Sequence, residues 1–132
     1  LDDANLHEAN LSQANLQEAD LSQANLQEAD LSLSNLQAAN LRSANLEGAN
    51  LYGAILEGAN LSGVKLKGAD LKFVNMGHAN MFGVQCDKTT TLPNQKIWTP
   101  DVDWSQFRAV ELDMDQWETY RRKQGPFGED TD

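Results

Sequence analysis

Basic residues are scarce. Ten Lys and Arg stand against twenty Asp and Glu, giving a formal charge of −10. A conventional nucleic-acid binder needs a basic footprint, and a polybasic membrane anchor needs clustered cations, so neither is expected. Aromatic side chains make up only 7 % of the chain, too few for a core built on large rings. The one cysteine, Cys86, excludes an internal disulfide framework and a cysteine-based zinc cluster. No apolar run approaches the ~20 residues of a membrane span, and no signal-peptide pattern opens the chain. Membrane contact is therefore not implied by this segment. Metalloprotease, nucleophile-elbow, phosphate-loop, dinucleotide and calcium-loop motifs are all missing. His7 and His78 lie far apart, which argues against a two-His metal site. No catalytic, cofactor-binding or metal-binding residue is assigned, and no small-molecule substrate is expected. A length of 132 residues fits one domain.

What the chain has in abundance is a period. Leucine occupies every fifth position from Leu1 to Leu71, and Met76, Met81 and Cys86 continue the register without insertion. Two residues before each later centre stands a small residue, usually Ala, with Ser34, Val64, Val74 and Val84 as substitutes. Asn or Asp lies between them almost every time. A period of five fits neither the helix, at 3.6, nor the flat strand, at 2. Around a helix, leucines five apart would step by about 140° and form no apolar stripe. The small residue and the Leu are two apart, so both can point to one side of a short extended segment. The polar pair that follows supplies a corner. One side and one corner per five residues describe a polygon in cross-section.

These residues resemble the pentapeptide-repeat family, whose motif is A(D/N)LXX, over residues 1–86. The resemblance implies a right-handed quadrilateral β-helix with 20 residues per coil, and hence a column roughly 20 Å tall at the spacing of paired strands. The expected fold class is an all-β solenoid of this kind with a C-terminal aromatic-rich, partly α-helical cap. Three segments are expected: the β-helix over 1–86, a connection and helical cap over 87–124, and a disordered tail over 125–132. The ending TTLP…WTP…D…F is also similar to the C-terminal endings of pentapeptide-repeat proteins common in photosynthetic bacteria. In the cap, Asp113 or Asp115 can start a helix, with Glu118 completing a capping box and Gly125–Pro126 stopping it. A turn over Asp103–Arg108 is a second helical candidate. Trp98, Trp104, Phe107 and Trp117 are expected to shield Met76, Met81 and Cys86.

If positions twenty apart stack, Leu ladders fill the interior and the Asn and Asp residues serve as turn and ladder residues. Stacked amides could then bond along the axis. Gly48, Gly53, Gly58, Gly63 and Gly68 hold the second corner position in five successive repeats. Glycine there favours a type II turn, so type II corners are expected after about residue 45 and looser ones before it. Charge is uneven along the column. Seven acids and no Lys or Arg fall within residues 1–41 (Asp2, Asp3, Glu8, Glu18, Asp20, Glu28 and Asp30). Glu8 and Glu28 should stack on one corner, but without a cleft they make no acid–base pair.

Five outward positions break the polar rule: Leu33, Tyr52, Ile55, Phe73 and Phe82. They mark a candidate interaction surface or a strip covered by the tail. The reading of function is a non-catalytic structural or protein–protein interaction module presenting flat β-helix faces. The partner is then a protein and not a nucleic acid. The alternative is an acidic DNA mimic that inhibits a type II topoisomerase, as some members of the family do. A column about half the length of a duplex mimic, centres of Leu, Met and Cys in place of Phe, and acids gathered in one half argue against it. Leu1 begins in mid-repeat, which suggests a trimmed chain. A cytoplasmic location is expected, or the periplasm or thylakoid lumen if an upstream targeting segment is missing.

Overall fold

The computed structural model describes residues 1–108. Its backbone climbs in coils of twenty residues. Parallel bridges join Asn5 to Asn25, Asn10 to Asp30, Asn15 to Asn35 and Asp20 to Asn40, and the series continues at the same separation to Lys65 and Gln85. Bridging positions fall five apart, so each coil has four sides. One residue per side makes the bridge, and flanking backbone groups complete the contact. Leu6 N–H donates to the Asn25 carbonyl at 2.7 Å, Asn25 N–H to the Ala4 carbonyl at 2.8 Å, and Glu8 N–H to the Gln27 carbonyl at 2.9 Å. The backbone thus finds its partners on the next coil, which is why a five-residue side suffices.

Every corner has one geometry. Ala4 N–H donates to the Leu1 carbonyl at 3.0 Å, and the same bond closes each turn up to Val84 and Met81. The second central residue of each turn has positive φ, from Asp3 at 62° to Gly83 at 74°. A turn closed in this way, with positive φ at that one position, is the type II pattern. The expected contrast between corners before and after residue 45 is absent. Glu18, Gln23, Leu33, Ala38 and Ser43 adopt the left-handed conformation that Gly48 and its successors adopt. Stacking imposes the corner: the N–H at this position must reach the carbonyl of the coil above, whatever the side chain.

The interior is a closed leucine column. Each leucine in the register from Leu21 to Leu71, Leu21 and Leu71 included, is fully buried, and such burial is worth about 1.5–3 kcal/mol per side chain. Alanine fills the second inward slot because little width remains. Ser34 takes one such slot and stays satisfied, its hydroxyl donating to the Leu31 carbonyl at 2.7 Å. Leu6, Leu11 and Leu16 are only partly buried, since only the coil above covers them.

The Asn and Asp slot turns back on its own corner. The Oδ1 of Asn5 accepts the N–H of His7 at 3.2 Å, and that of Asn60 accepts the N–H of Ser62 at 3.0 Å. The same bond recurs up to Asn80 and Phe82. These oxygens hold corners rather than forming the axial amide ladder, because the N–H two residues on lies nearer than the next coil's side chain.

The ladder outlasts the five-residue register. Thr90 N–H closes a turn on the Asp87 carbonyl, and its buried hydroxyl donates to the Leu66 carbonyl at 2.8 Å. That turn starts at Asp87, one residue later than the five-residue register would place it, so Asp70 pairs with Thr91 at a separation of 21. Thr91 also bridges Ile97 in antiparallel sense. A short hairpin, with Leu92 N–H bonded to the Lys96 carbonyl at 2.7 Å, therefore follows the last parallel rung. Helix α1 (Ser105–Arg108) comes next. Asp103 caps it, accepting from Ser105 N–H at 3.0 Å and from the Ser105 hydroxyl at 2.7 Å. This is the helical turn expected over Asp103–Arg108. Trp104 and Phe107 lie against each other, ring centroids 6.0 Å apart, and both pack on the leucine core. The helix expected after Asp113 or Asp115, Trp117 and the tail over 125–132 lie outside the described residues.

Candidate functional site

The outward apolar residues do not form one patch. Leu33, Tyr52 and Phe73 share a corner, as twenty-residue stacking requires, with Tyr52 one place before the Leu33–Gly53–Phe73 column. The Tyr52 and Phe73 rings meet edge to face, centroids 5.6 Å apart at 85°. Ile55, on the side that follows, joins them in an apolar cluster separate from the leucine core. Ile55 and Phe73 are buried, 6 % and 4 % exposed, while Leu33 reaches 36 % and Tyr52 is half-buried. Phe82 lies ten residues past the Lys72–Phe73 corner, hence two sides away on the diagonal corner, and is 82 % exposed. The structure therefore gathers Tyr52, Ile55 and Phe73 into one cluster, leaves Leu33 exposed on the same corner, and sets Phe82 apart.

Titratable groups gather at another corner. His7 Nε2 lies 3.4 Å from a Glu28 carboxylate oxygen, and His7 Nδ1 lies 3.7 Å from a Glu8 oxygen. One ligand atom from each of these exposed side chains falls within 4.8 Å of the others. Sequence reasoning brought Glu8 and Glu28 together through the period of twenty but overlooked that His7 adjoins them. The signal was present, since position 7 neighbours 8 on the same corner.

Elsewhere the polar groups serve the fold. The Asp20 carboxyl is held below its ordinary value by the Ser22 hydroxyl and the Ser22 N–H. Asp87 is lowered in the same way by the Thr89 hydroxyl and N–H, and Asp103 by Ser105. The Cys86 thiol is pushed up to about 11, chiefly by burial, against a lowering contribution from Thr90. A thiol so protonated is a poor nucleophile. Lys72 Nζ stands 3.6 Å from Asp70. Among the described residues no helix is long and apolar enough to cross a membrane.

The coil geometry agrees with comparison to known proteins. The family model described as Pentapeptide repeats (8 copies) matches residues 1–37, 34–72 and 44–83. The chain belongs to the pentapeptide-repeat family. Its members fold as right-handed quadrilateral β-helices. The crystal structure of the pentapeptide repeat protein Rfr23, from the cyanobacterium Cyanothece 51142, is similar at 44 % identity and a TM-score of 0.69. That match covers 70 % of this chain and 63 % of the Rfr23 chain, so this pentapeptide-repeat chain spans less than two thirds of that relative. The pentapeptide repeat protein alr5209 from Nostoc Pcc 7120 is similar at 34 % identity and a TM-score of 0.59, over 79 % of this chain and 81 % of its own. A pentapeptide repeat protein from the Arabidopsis thaliana thylakoid lumen matches at 28 % identity and a TM-score of 0.52, over 84 % of this chain and 76 % of its own. Comparison with curated proteins gives no match.

Proposed function

We propose that this pentapeptide-repeat column works without catalysis, as a rigid module that presents an outer face to another protein. One observation carries the reading: a second apolar cluster, of Tyr52, Ile55 and Phe73, sits on the outside of a column whose own core is complete. Ile55 and Phe73 are buried and add to the stability that the leucine ladder supplies. Leu33 and Tyr52 form the cluster's accessible rim. An aromatic rim beside packed apolar side chains is the composition of a protein-binding hot spot. Residues 1–41 contain seven acids and no Lys or Arg, which disfavours a nucleic-acid partner for that half. Within the repeat only Glu47, Glu57 and Asp70 follow them, and so thin a charge on the upper half disfavours mimicry of a duplex, which needs charge along the whole rod.

The test places a photo-crosslinking benzoyl-phenylalanine at Tyr52, with the same group at Gln17 on a different corner as control. Irradiation in native cells should give one protein adduct of defined mass from position 52 and none from position 17. No adduct from position 52, or the same adducts from both positions, would contradict the assignment of this corner.

A further inference from the structure

We infer that His7 and Glu28, with Glu8 behind the imidazole, form a surface site for a divalent transition-metal ion of the zinc type, bridging the first two coils. The argument starts from the two ring nitrogens. His7 Nε2 faces Glu28 at 3.4 Å and His7 Nδ1 faces Glu8 at 3.7 Å. The imidazole is thus addressed by a different carboxylate at each nitrogen. In a metal site one nitrogen binds the ion and the other donates its proton to a carboxylate that fixes the ring. Here Nε2 and Glu28 would be ligands, and Glu8, which at 3.7 Å lies just beyond hydrogen-bond reach of Nδ1, would close on Nδ1–H to orient the ring.

The scaffold supports this division. Glu8 N–H donates to the Gln27 carbonyl at 2.9 Å, and His7 N–H to Asn5 Oδ1 at 3.2 Å, so the lower corner is tied both to its own side and to the coil above. Glu28 N–H is bonded in turn to the Glu47 carbonyl at 2.9 Å. Above it, Gly48 has no side chain, and a Cβ there would stand 3.1 Å from Glu28 Cγ. The bare glycine leaves room for the Glu28 stem beside the corner. The donor set is one imidazole and carboxylate oxygen, the kind that suits zinc, nickel or copper better than magnesium or calcium, which take oxygen ligands. No Lys or Arg occurs in residues 1–41 to compete for these carboxylates. With two protein ligands, waters or donors from another molecule would fill the remaining positions.

The competing occupant is a proton on His7, which would make the cluster an ion pair only. Calorimetric titration of the full chain with Zn²⁺ at pH 7.5 separates the two. The expected result is one saturable site per chain, weakened at least tenfold in H7A and in E28Q, and about tenfold in E8Q, the lower end of what removing a ring-orienting carboxylate costs. E18Q, a change at an exposed acid outside the cluster, should bind as the parent does. Zinc should raise the melting temperature of the parent and leave that of H7A unmoved, because the ion would join two coils. Absence of saturable zinc binding up to 1 mM overturns the inference, as does equal binding by H7A and the parent. Equal affinity for Mg²⁺ also overturns it, since an acidic surface alone would give that result.

Discussion

Ala38 and Gly58 stand one above the other at the same corner with nearly the same backbone, φ 58° and 68°. One has a Cβ in the left-handed region and the other does not. The space beside Gly58 is open, with no heavy atom within 4 Å of an added Cβ. The pair therefore isolates backbone strain from crowding. Gly58→Ala should cost about half a kcal/mol, the strain of an L-residue in this region offset by the smaller entropy of unfolded alanine. Ala38→Gly should gain about half a kcal/mol, strain relief offset by the larger entropy of unfolded glycine. Urea unfolding of the two variants measures both.

Asn60 tests the corner bond. Its Oδ1 accepts the Ser62 N–H at 3.0 Å in a partly buried setting. Asn60→Ala leaves that N–H without its acceptor and should cost about 1 kcal/mol. Asn60→Asp keeps the acceptor and should cost less. Thermal melts at pH 7 order the three proteins.

Acid should weaken the column through its exposed Asp corners. The folded-state pKa of Asp20 lies below the ordinary 3.8, through the Ser22 hydroxyl and N–H. A depressed carboxyl contributes stability that is fully present above the unfolded pKa. That stability is lost as pH falls through the folded one. Ser22→Ala removes the larger of the two bonds. The variant should be less stable than the parent at pH 7, and the difference should shrink below about pH 4. A difference unchanged down to pH 2 would mean that Ser22 acts through something other than this carboxylate.

Cys86 should be unreactive in the folded state. With its pKa pushed up to about 11 by burial, thiolate is scarce at pH 8. Alkylation by iodoacetamide should run roughly a hundredfold slower than that of an exposed cysteine. Unfolding in urea should restore the ordinary rate.

The five-residue register made the four sides, the twenty-residue stacking and the leucine interior legible, because each follows from which positions can face inward. The corners were less so. Glycine at Gly48 and beyond advertises positive φ, but Glu18 and Ala38 adopt it without a local signal, since the constraint comes from the coil above. The amide of Asn60 could be read as structural, yet whether it bonds along the axis or to its own corner depends on distances within the turn. Leu33, Tyr52 and Phe73 could be placed on one corner, but their burial could not, because a period shows direction and not what lies over it. The step from Asp70 to Thr91 was hidden in the one-residue delay of the last turn, which opens at Asp87 and not at Cys86. Trp104 and Phe107 pack against the leucine core, whereas Trp117 falls outside the described residues.

The account stands on the closed leucine column, since corners, outer faces and the His7 cluster are all positioned by it. Leu46 sits fully buried near its middle, with Leu26 in the coil below and Leu66 in the coil above. Equilibrium unfolding of Leu46→Ala and Leu46→Asp, followed by circular dichroism, tests this most directly. The alanine variant should fold and lose about 2–5 kcal/mol. The aspartate variant should show no cooperative transition at neutral pH, because its charge would be buried without a partner. An aspartate variant that melts at the parent temperature would contradict the inward placement of Leu46, and with it the column.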